Sequence, residues 1–414
     1  MSVAAHIDRA RLSRQIEVMA NFSDAPAPAV TRVVYTPTDL AARAYLKELA
    51  TEAGLEVRED PIGNTFFRWA GTQPELPPVA TGSHLDAIPH SGRYDGVVGV
   101  LGGLESIRAL QASGYEPRRS IELLLFTAEE PTRFGIGCFG SRALAGQLGP
   151  DDLTSLTDRD GHAFDDVRRE AGFSGELRDV RLEPGVYHAF VELHIEQGPL
   201  LERHGTDIGV VSAIAAPATL HVTLEGEGGH AGAALMRTRH DALTAAAEIV
   251  STVERAALSS GSQDTVATVG VLEVHPGAVN SIPSRVFLTV DIRDVDGEIR
   301  DRVIDSVRDA CDEIGVRRGV AIDVEVVNAD TPATCAPEIA AAVKVATAEM
   351  RASTEAMVSR AYHDALFMAQ LCPTGMIFIP CRAGVSHRPD EYASPGAIAR
   401  GAAVLAYALA ELSR

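Results

Sequence analysis

The chain has 414 residues, above the size at which one hydrophobic core usually stops growing, so two domains are expected. A formal net charge of −20 argues against binding to nucleic acid or to an anionic membrane surface, and no run of about 18 apolar residues offers a membrane span. The five cysteines, Cys138, Cys311, Cys335, Cys372 and Cys381, contain no CxxC pair, which speaks against a disulfide framework or a thiolate zinc site and for a reducing cytoplasm.

In chain order, Met1 to Arg14 is polar and amphipathic and lacks the apolar core of a signal peptide. Val79 to Ser83 reads as a short buried strand, Val97 to Gln111 as a helix entered from a glycine-containing turn, and Ser120 to Thr127 as a second buried strand. Residues 150–184 are polar and read as loops or short surface helices, and Val186 to Ile195 reads as another strand. This βαβ-like alternation predicts a parallel or mixed sheet with helices on its faces. From about Ser212 the pattern changes. Strand-like segments at 220–224, 265–274, 285–292 and 321–327 and helical ones at 241–257 and 298–314 make an α+β unit complete in itself. Then come a helix at 339–350, a strand at 375–379 and a helix at 395–412, with Ser394 as N-cap and Pro395 in its first turn. The expected layout is a discontinuous α/β catalytic domain, residues 1–211 and 329–414, interrupted by a smaller domain over 212–328.

Five clusters could carry chemistry. Gly82-Ser83-His84-Leu85-Asp86 puts a histidine at the carboxyl end of a buried strand, where sites of α/β sheets form, with an aspartate able to fix its tautomer. Tyr94-Asp95-Gly96 places a carboxylate in a glycine-flanked turn. Glu129-Glu130 ends another buried strand, where one carboxylate can bind metal while its neighbour serves as a base. His194 and Gln197 lie in Glu192–Pro199, and His387 sits in the loop Ser386–Glu391. Each alone has an ordinary reading as an exposed turn or a structural histidine. Together they form a mixed nitrogen and oxygen donor set suited to zinc, manganese, cobalt or nickel. Cys138, without an activating histidine in its sequence context, reads as packing rather than as a nucleophile.

In these motifs and in their order, nearly the whole chain resembles the hydantoinase/carbamoylase branch of the M20 metallopeptidase-like amidohydrolases. The resemblance implies a metal-binding α/β domain with a mixed sheet, interrupted by an α+β dimerisation (lid) domain. It implies two divalent ions, manganese by preference and zinc, cobalt or nickel as alternatives. His84, Asp95 and His194 would hold one ion and Asp95, Glu130 and His387 the other, with Asp95 bridging. Glu129 would be the general base, and Asp86 would orient His84. From Gly228–Gly232, His230 would polarise the scissile carbonyl in the partner subunit of a homodimer. Asn280 in Gly277–Pro283 and Arg293 in Asp291-Ile292-Arg293 would grip a substrate carboxylate, and Gln197 would contact the ureido group.

Within the branch, Ser359–Met368, Gly375–Cys381 and Gly229–Met236 are similar to members that cleave ureidoglycolate. Tyr362 beside His363 stands where other members carry a small residue, which implies a substrate smaller than allantoate. Leu235 replaces a proline common in allantoate amidohydrolases and N-carbamoyl amino-acid hydrolases, the alternative activities. An M20 peptidase is a further alternative that His194 weighs against, since those peptidases commonly use a carboxylate there. Arg237 also departs from the common pattern, and no role follows for it. The implied partner is a small ureido-carboxylate substrate.

Overall fold

The computed structural model describes residues 6–414, so the first five residues of the Met1–Arg14 segment lie outside it. The chain divides into two compact units. The first comprises Met1–Ser212, Thr334–Ser359 and His363–Arg414, and the second Ala213–Ala333 with Arg360–Tyr362. The second boundary therefore falls at Ala333 rather than at 328, because the last strand of the inserted unit runs on to Ala329. Tyr362 groups with the inserted unit, whereas its neighbour His363 groups with the larger one.

The larger unit is built on a nine-stranded mixed sheet. Its centre is four parallel strands in the order Thr374–Ile379, Ala189–Ile195, Val79–His84 and Ile121–Phe126, each buried along its whole length. Strands covered on both faces favour apolar side chains on both, which is why Ile121–Phe126 is apolar at every position except Glu122 rather than alternating. Antiparallel strands flank this centre: Thr65–Trp69 pairs with Ile121–Phe126, and Ile208–Ile214 with Thr374–Ile379.

Helix Val97–Ala112 is buried on nearly every side. It packs with Pro395–Leu412 over the central strands, and their side chains join those of the strands in one core. Gly99 permits the close approach: a Cβ there would stand 2.5 Å from the Leu193 carbonyl oxygen and 2.6 Å from the Ser83 Cβ. Ser394 caps the last helix by accepting from the Ala397 amide, with Pro395 in the first turn.

The inserted unit is a four-stranded antiparallel sheet in the order Val266–His275, Arg285–Asp294, Ala216–Glu225 and Ala321–Ala329. Alternate residues of Arg285–Asp294 are buried, the period expected when one face is covered. The covering helices are Ala242–Leu258 and Gly297–Arg318, capped by Asp241 and Asp296, and Leu220, Val222, Leu288 and Val290 form the core beneath them with Ile249, Val253 and Val307. A two-stranded ladder joins Gly229–His230 to Ser281–Ile282. The outer strand Val266–His275 is partly or fully exposed along its length, with Val266, Val271 and Leu272 each about 40% exposed.

Candidate active site

The carboxyl ends of three central parallel strands deliver His84, His194 and, just past Phe126, the pair Glu129-Glu130. The loop after the fourth brings His387. Asp95 is the hub. Its Oδ1 lies 3.1 Å from His194 Nε2 and 3.7 Å from His84 Nε2, and its Oδ2 lies 3.2 Å from His387 Nε2. His387 Nε2 is also 3.2 Å from Glu130 Oε1. Two donor groups follow, His84–Asp95–His194 and Asp95–Glu130–His387, sharing the two oxygens of one carboxylate.

The histidines are oriented for ligation. His84 Nδ1 is 3.0 Å from the Asp86 carbonyl oxygen and His194 Nδ1 is 2.9 Å from the Ile195 carbonyl oxygen. A carbonyl only accepts, so each Nδ1 carries the proton and Nε2 presents its lone pair toward Asp95. The Gly96 amide donates to His194 Nε2 at 3.2 Å, in keeping with that tautomer. Gly96 itself has φ +65°, and a Cβ there would stand 2.6 Å from the His84 ring, so only glycine fits this turn. The convergence of these nitrogens with the oxygens of two carboxylates fits a hard or borderline divalent ion, and no thiolate belongs to either group.

Asp86 meets His84 Nδ1 through its main-chain carbonyl at 3.0 Å, with its carboxylate 3.6 Å away. That carboxylate also accepts from the Glu129 amide at 3.1 Å and the Glu130 amide at 2.9 Å, which fixes the acidic pair beside the histidines. Glu129 Oε2 comes within 3.7 Å of His84 Nε2. Burial raises the Glu129 pKa well above the ordinary carboxylate value, and the nearby Glu130, Asp364 and Asp95 add to it against the opposing pull of His84. Asp95 is driven the other way: burial would raise its pKa, but the close His194, His387 and His84 rings hold it well below the usual range. Cys138 is fully buried, its thiol faces Glu129 Oε1 at 3.4 Å, and burial pushes its pKa well up, which removes it as a nucleophile.

Gln197 donates from Nε2 to Asp95 Oδ2 at 2.7 Å and to Ser386 Oγ at 3.3 Å, while its Oε1 is buried with no partner among the described residues. Ala128, Cys138, Gln197 and His387 all have φ between 51° and 59°, so four of the eight described non-glycine residues with positive φ surround this site. Backbone held in that region costs about 1–3 kcal/mol per residue and persists where surroundings over-determine it. His363 is buried, packs edge-on against the His194 ring with centroids 4.5 Å apart, and pairs through Nε2 with Ser359 Oγ at 3.0 Å.

The structure adds residues that the motifs contained without a role. Glu391 accepts from the Tyr94 and Asp95 amides at 2.8 and 3.1 Å and from Ser386 Oγ at 2.9 Å, tying the Asp95 turn to the His387 loop. Burial and the nearby Asp95 push its pKa up to about 7. Glu192, buried in its strand, accepts from Ser83 Oγ at 2.8 Å and the Ala365 amide at 3.1 Å. A carboxylate inside an apolar strand is the signal that could have found it.

The remaining candidates lie in the inserted unit. His230 and Asn280 come together across the short ladder, where the Ala231 amide donates to the Asn280 carbonyl at 2.9 Å. Arg293 forks onto Asp291 at 2.7 and 3.1 Å. Tyr362 directs its hydroxyl to Asp330 Oδ2 at 3.2 Å.

Known proteins are similar to this chain in sequence and fold. Residues 80–411 match the model of peptidase family M20/M25/M40. The ureidoglycolate hydrolase of Arabidopsis thaliana is 52% identical over an alignment covering 98% of this chain and 87% of that protein. That of Oryza sativa subsp. japonica is 51% identical, covering 99% and 85%. The crystal structure of AtUAH in complex with glyoxylate superposes with a TM-score of 0.91 at 52% identity, covering 99% of each chain. A match over most of the sequence, with the fold retained, shows that the chain belongs to the M20 family.

Proposed function

We propose that this chain is a ureidoglycolate amidohydrolase, active as a homodimer and dependent on two divalent ions, manganese by preference. Its membership of a metal-dependent family and its amidohydrolase relatives make it a hydrolase of amide C–N bonds. The substrate assignment is carried by one observation: similarity above 50% to ureidoglycolate hydrolases over nearly the full length, in a chain that retains a complete donor set and a buried carboxylate beside it. His84, Asp95 and His194 would hold one ion and Asp95, Glu130 and His387 the other. When bound, the ions supply Lewis acidity to the carbonyl and to water.

A ureido carbonyl is a poor electrophile, because both of its nitrogens donate into it. Glu129, with its raised pKa, is suited to take the proton of the attacking water and to return it to the departing ammonia. His230 would donate a hydrogen bond to the oxyanion as the tetrahedral centre forms. The unpartnered Gln197 Oε1 is an acceptor suited to a ureido N–H. Arg293, released from Asp291, would bind the substrate carboxylate through both guanidinium edges, with Asn280 beside His230 as a second contact. Water adds at the ureido carbon, the bond to the terminal nitrogen breaks, and ammonia and a carbamate result. Loss of carbon dioxide leaves hydroxyglycine, which decays to glyoxylate and a second ammonia.

Two features support the assembly and the setting. The outer strand Val266–His275 offers unpaired main-chain groups and exposed apolar side chains, a surface that pairs readily with a second copy. All five cysteines are buried free thiols, in keeping with a reducing cytoplasm. The test is ammonia release from freshly generated ureidoglycolate, allantoate and N-carbamoyl amino acids, using protein stripped of metal and reloaded with manganese. A strong preference for ureidoglycolate is expected, with none of the activity surviving metal removal. Preference for another N-carbamoyl compound would overturn the substrate, and full activity without metal would overturn the chemistry.

A further inference from the structure

The turn that carries His230 has little apolar packing to hold it. Leu235 and Met236 are each 75% exposed, and His230 itself is exposed. Main-chain bonds close the turn in part: the Ala233 and Ala234 amides donate to the His230 carbonyl at 3.1 and 3.2 Å. The only long side chain bonded to it is Arg239 among the described residues. Arg239 Nε and Nη2 donate to the Ala234 carbonyl at 3.3 and 2.9 Å, and Nη2 also donates to the Ala231 carbonyl. None of these bonds goes to a carboxylate, so the guanidinium serves the turn and not an ion pair.

A second bond defines what the turn does to the histidine. The Gly232 amide donates to His230 Nδ1 at 3.1 Å. A main-chain N–H can only donate, so Nδ1 carries the lone pair and the proton of the neutral ring sits on Nε2. His230 is thereby set as a hydrogen-bond donor through its outer nitrogen, the opposite tautomer to His84 and His194, which turn their Nε2 lone pairs toward Asp95.

We infer that Arg239 is a positioning residue for His230: by bridging the carbonyls of Ala231 and Ala234 it holds the Gly232 amide against Nδ1 and keeps Nε2–H available as a donor. Lysine cannot reproduce the bridge, because an ammonium group lacks the rigid fork that spans two acceptors. The inference rests on the oxyanion role proposed for His230, and the test separates the two.

The experiment is a double-mutant cycle on the metal-loaded, full-length protein, with kcat and KM for ureidoglycolate measured in each variant. His230→Ala is expected to lower kcat about 10²–10³-fold. Arg239→Ala is expected to lower kcat by up to about 10²-fold with KM little changed, the size that misplacement of a reacting group produces. Arg239→Lys should recover only part of the loss, and it serves as the test variant if the alanine protein does not fold. Within the His230→Ala background, the Arg239 substitutions should cost almost nothing further, because their effect acts through His230. Near wild-type kcat in both Arg239 variants would overturn the positioning role while leaving that of His230 intact. Additive losses would overturn it too, since Arg239 would then act elsewhere. A His230→Ala enzyme with wild-type kcat would overturn the reading of His230 itself.

Discussion

The candidate residues of the two units are kept in opposite ways. In the larger unit, His84 and His194 are buried at strand ends with main-chain carbonyls on their Nδ1 atoms, Glu129 and Glu130 are buried just past a strand with their amides held by Asp86, and Asp95 is buried in a turn; of the donor residues only His387, in its loop, is exposed. In the inserted unit, His230 and Asn280 stand exposed on a short ladder and a turn, and Arg293 is occupied by Asp291. Burial in the first case supplies a low dielectric and geometric restraint, which nucleophile activation needs. Exposure in the second keeps groups free to engage a substrate that must enter and leave, at the cost of order that a partner surface would have to provide. On the roles proposed for these residues, the chemistry and the grip would be built on different physical terms within one chain.

Breaking the buried half should have the largest effect. Glu129→Gln keeps the shape and removes the base, so kcat should fall by about 10²–10⁴ while metal content stays unchanged. A loss of metal in that variant would reassign Glu129 from base to ligand. The exposed half is tested by mixing. Glu129→Ala and Arg293→Ala proteins are each expected to be severely impaired, and co-refolding them should restore up to about a quarter of wild-type activity if each site draws on two copies, since half of the chains then enter mixed dimers and each mixed dimer holds one intact site. No recovery would place the whole site within one chain. The smallest effect falls on the outer strand: Leu272→Glu should shift the sedimenting species from dimer toward monomer while changing the stability of the fold by only about 0.5 kcal/mol, as surface substitutions usually do. An unchanged dimer would move the interface away from that edge.

Much of this was legible in the sequence, for reasons that differ by residue. The central strands are legible because burial on both faces favours apolar side chains on both, a pattern broken at Glu122, at Glu192 and along residues 81–84 of Val79–His84, and their carboxyl ends then point to His84, His194 and the glutamate pair. The inserted unit was visible as a change of period. What stayed hidden was any fact that depends on distant segments meeting. Glu391 lies in a quoted motif, yet nothing local says that it binds the amides of Tyr94 and Asp95. The Asp86 carboxylate lies 3.6 Å from His84 Nδ1, and what the motif did not announce is that it also accepts from amides more than 40 residues on, while the Asp86 main-chain carbonyl makes the shorter contact to the histidine. Tyr362 and His363 are adjacent in sequence and part company in the fold, because the unit boundary runs between them.

Asp95 also has a consequence for how the site is assembled. Its two oxygens serve two donor groups, so neither group can be completed without fixing the carboxylate that the other requires. Asp95 Oδ2 already accepts from Gln197 Nε2 at 2.7 Å and from Ser386 Oγ at 2.8 Å, so both groups draw on one carboxylate that is set in place beforehand. A single Asp95→Ala substitution should therefore empty both groups at once, with the metal content of the variant falling for the whole pair rather than by half.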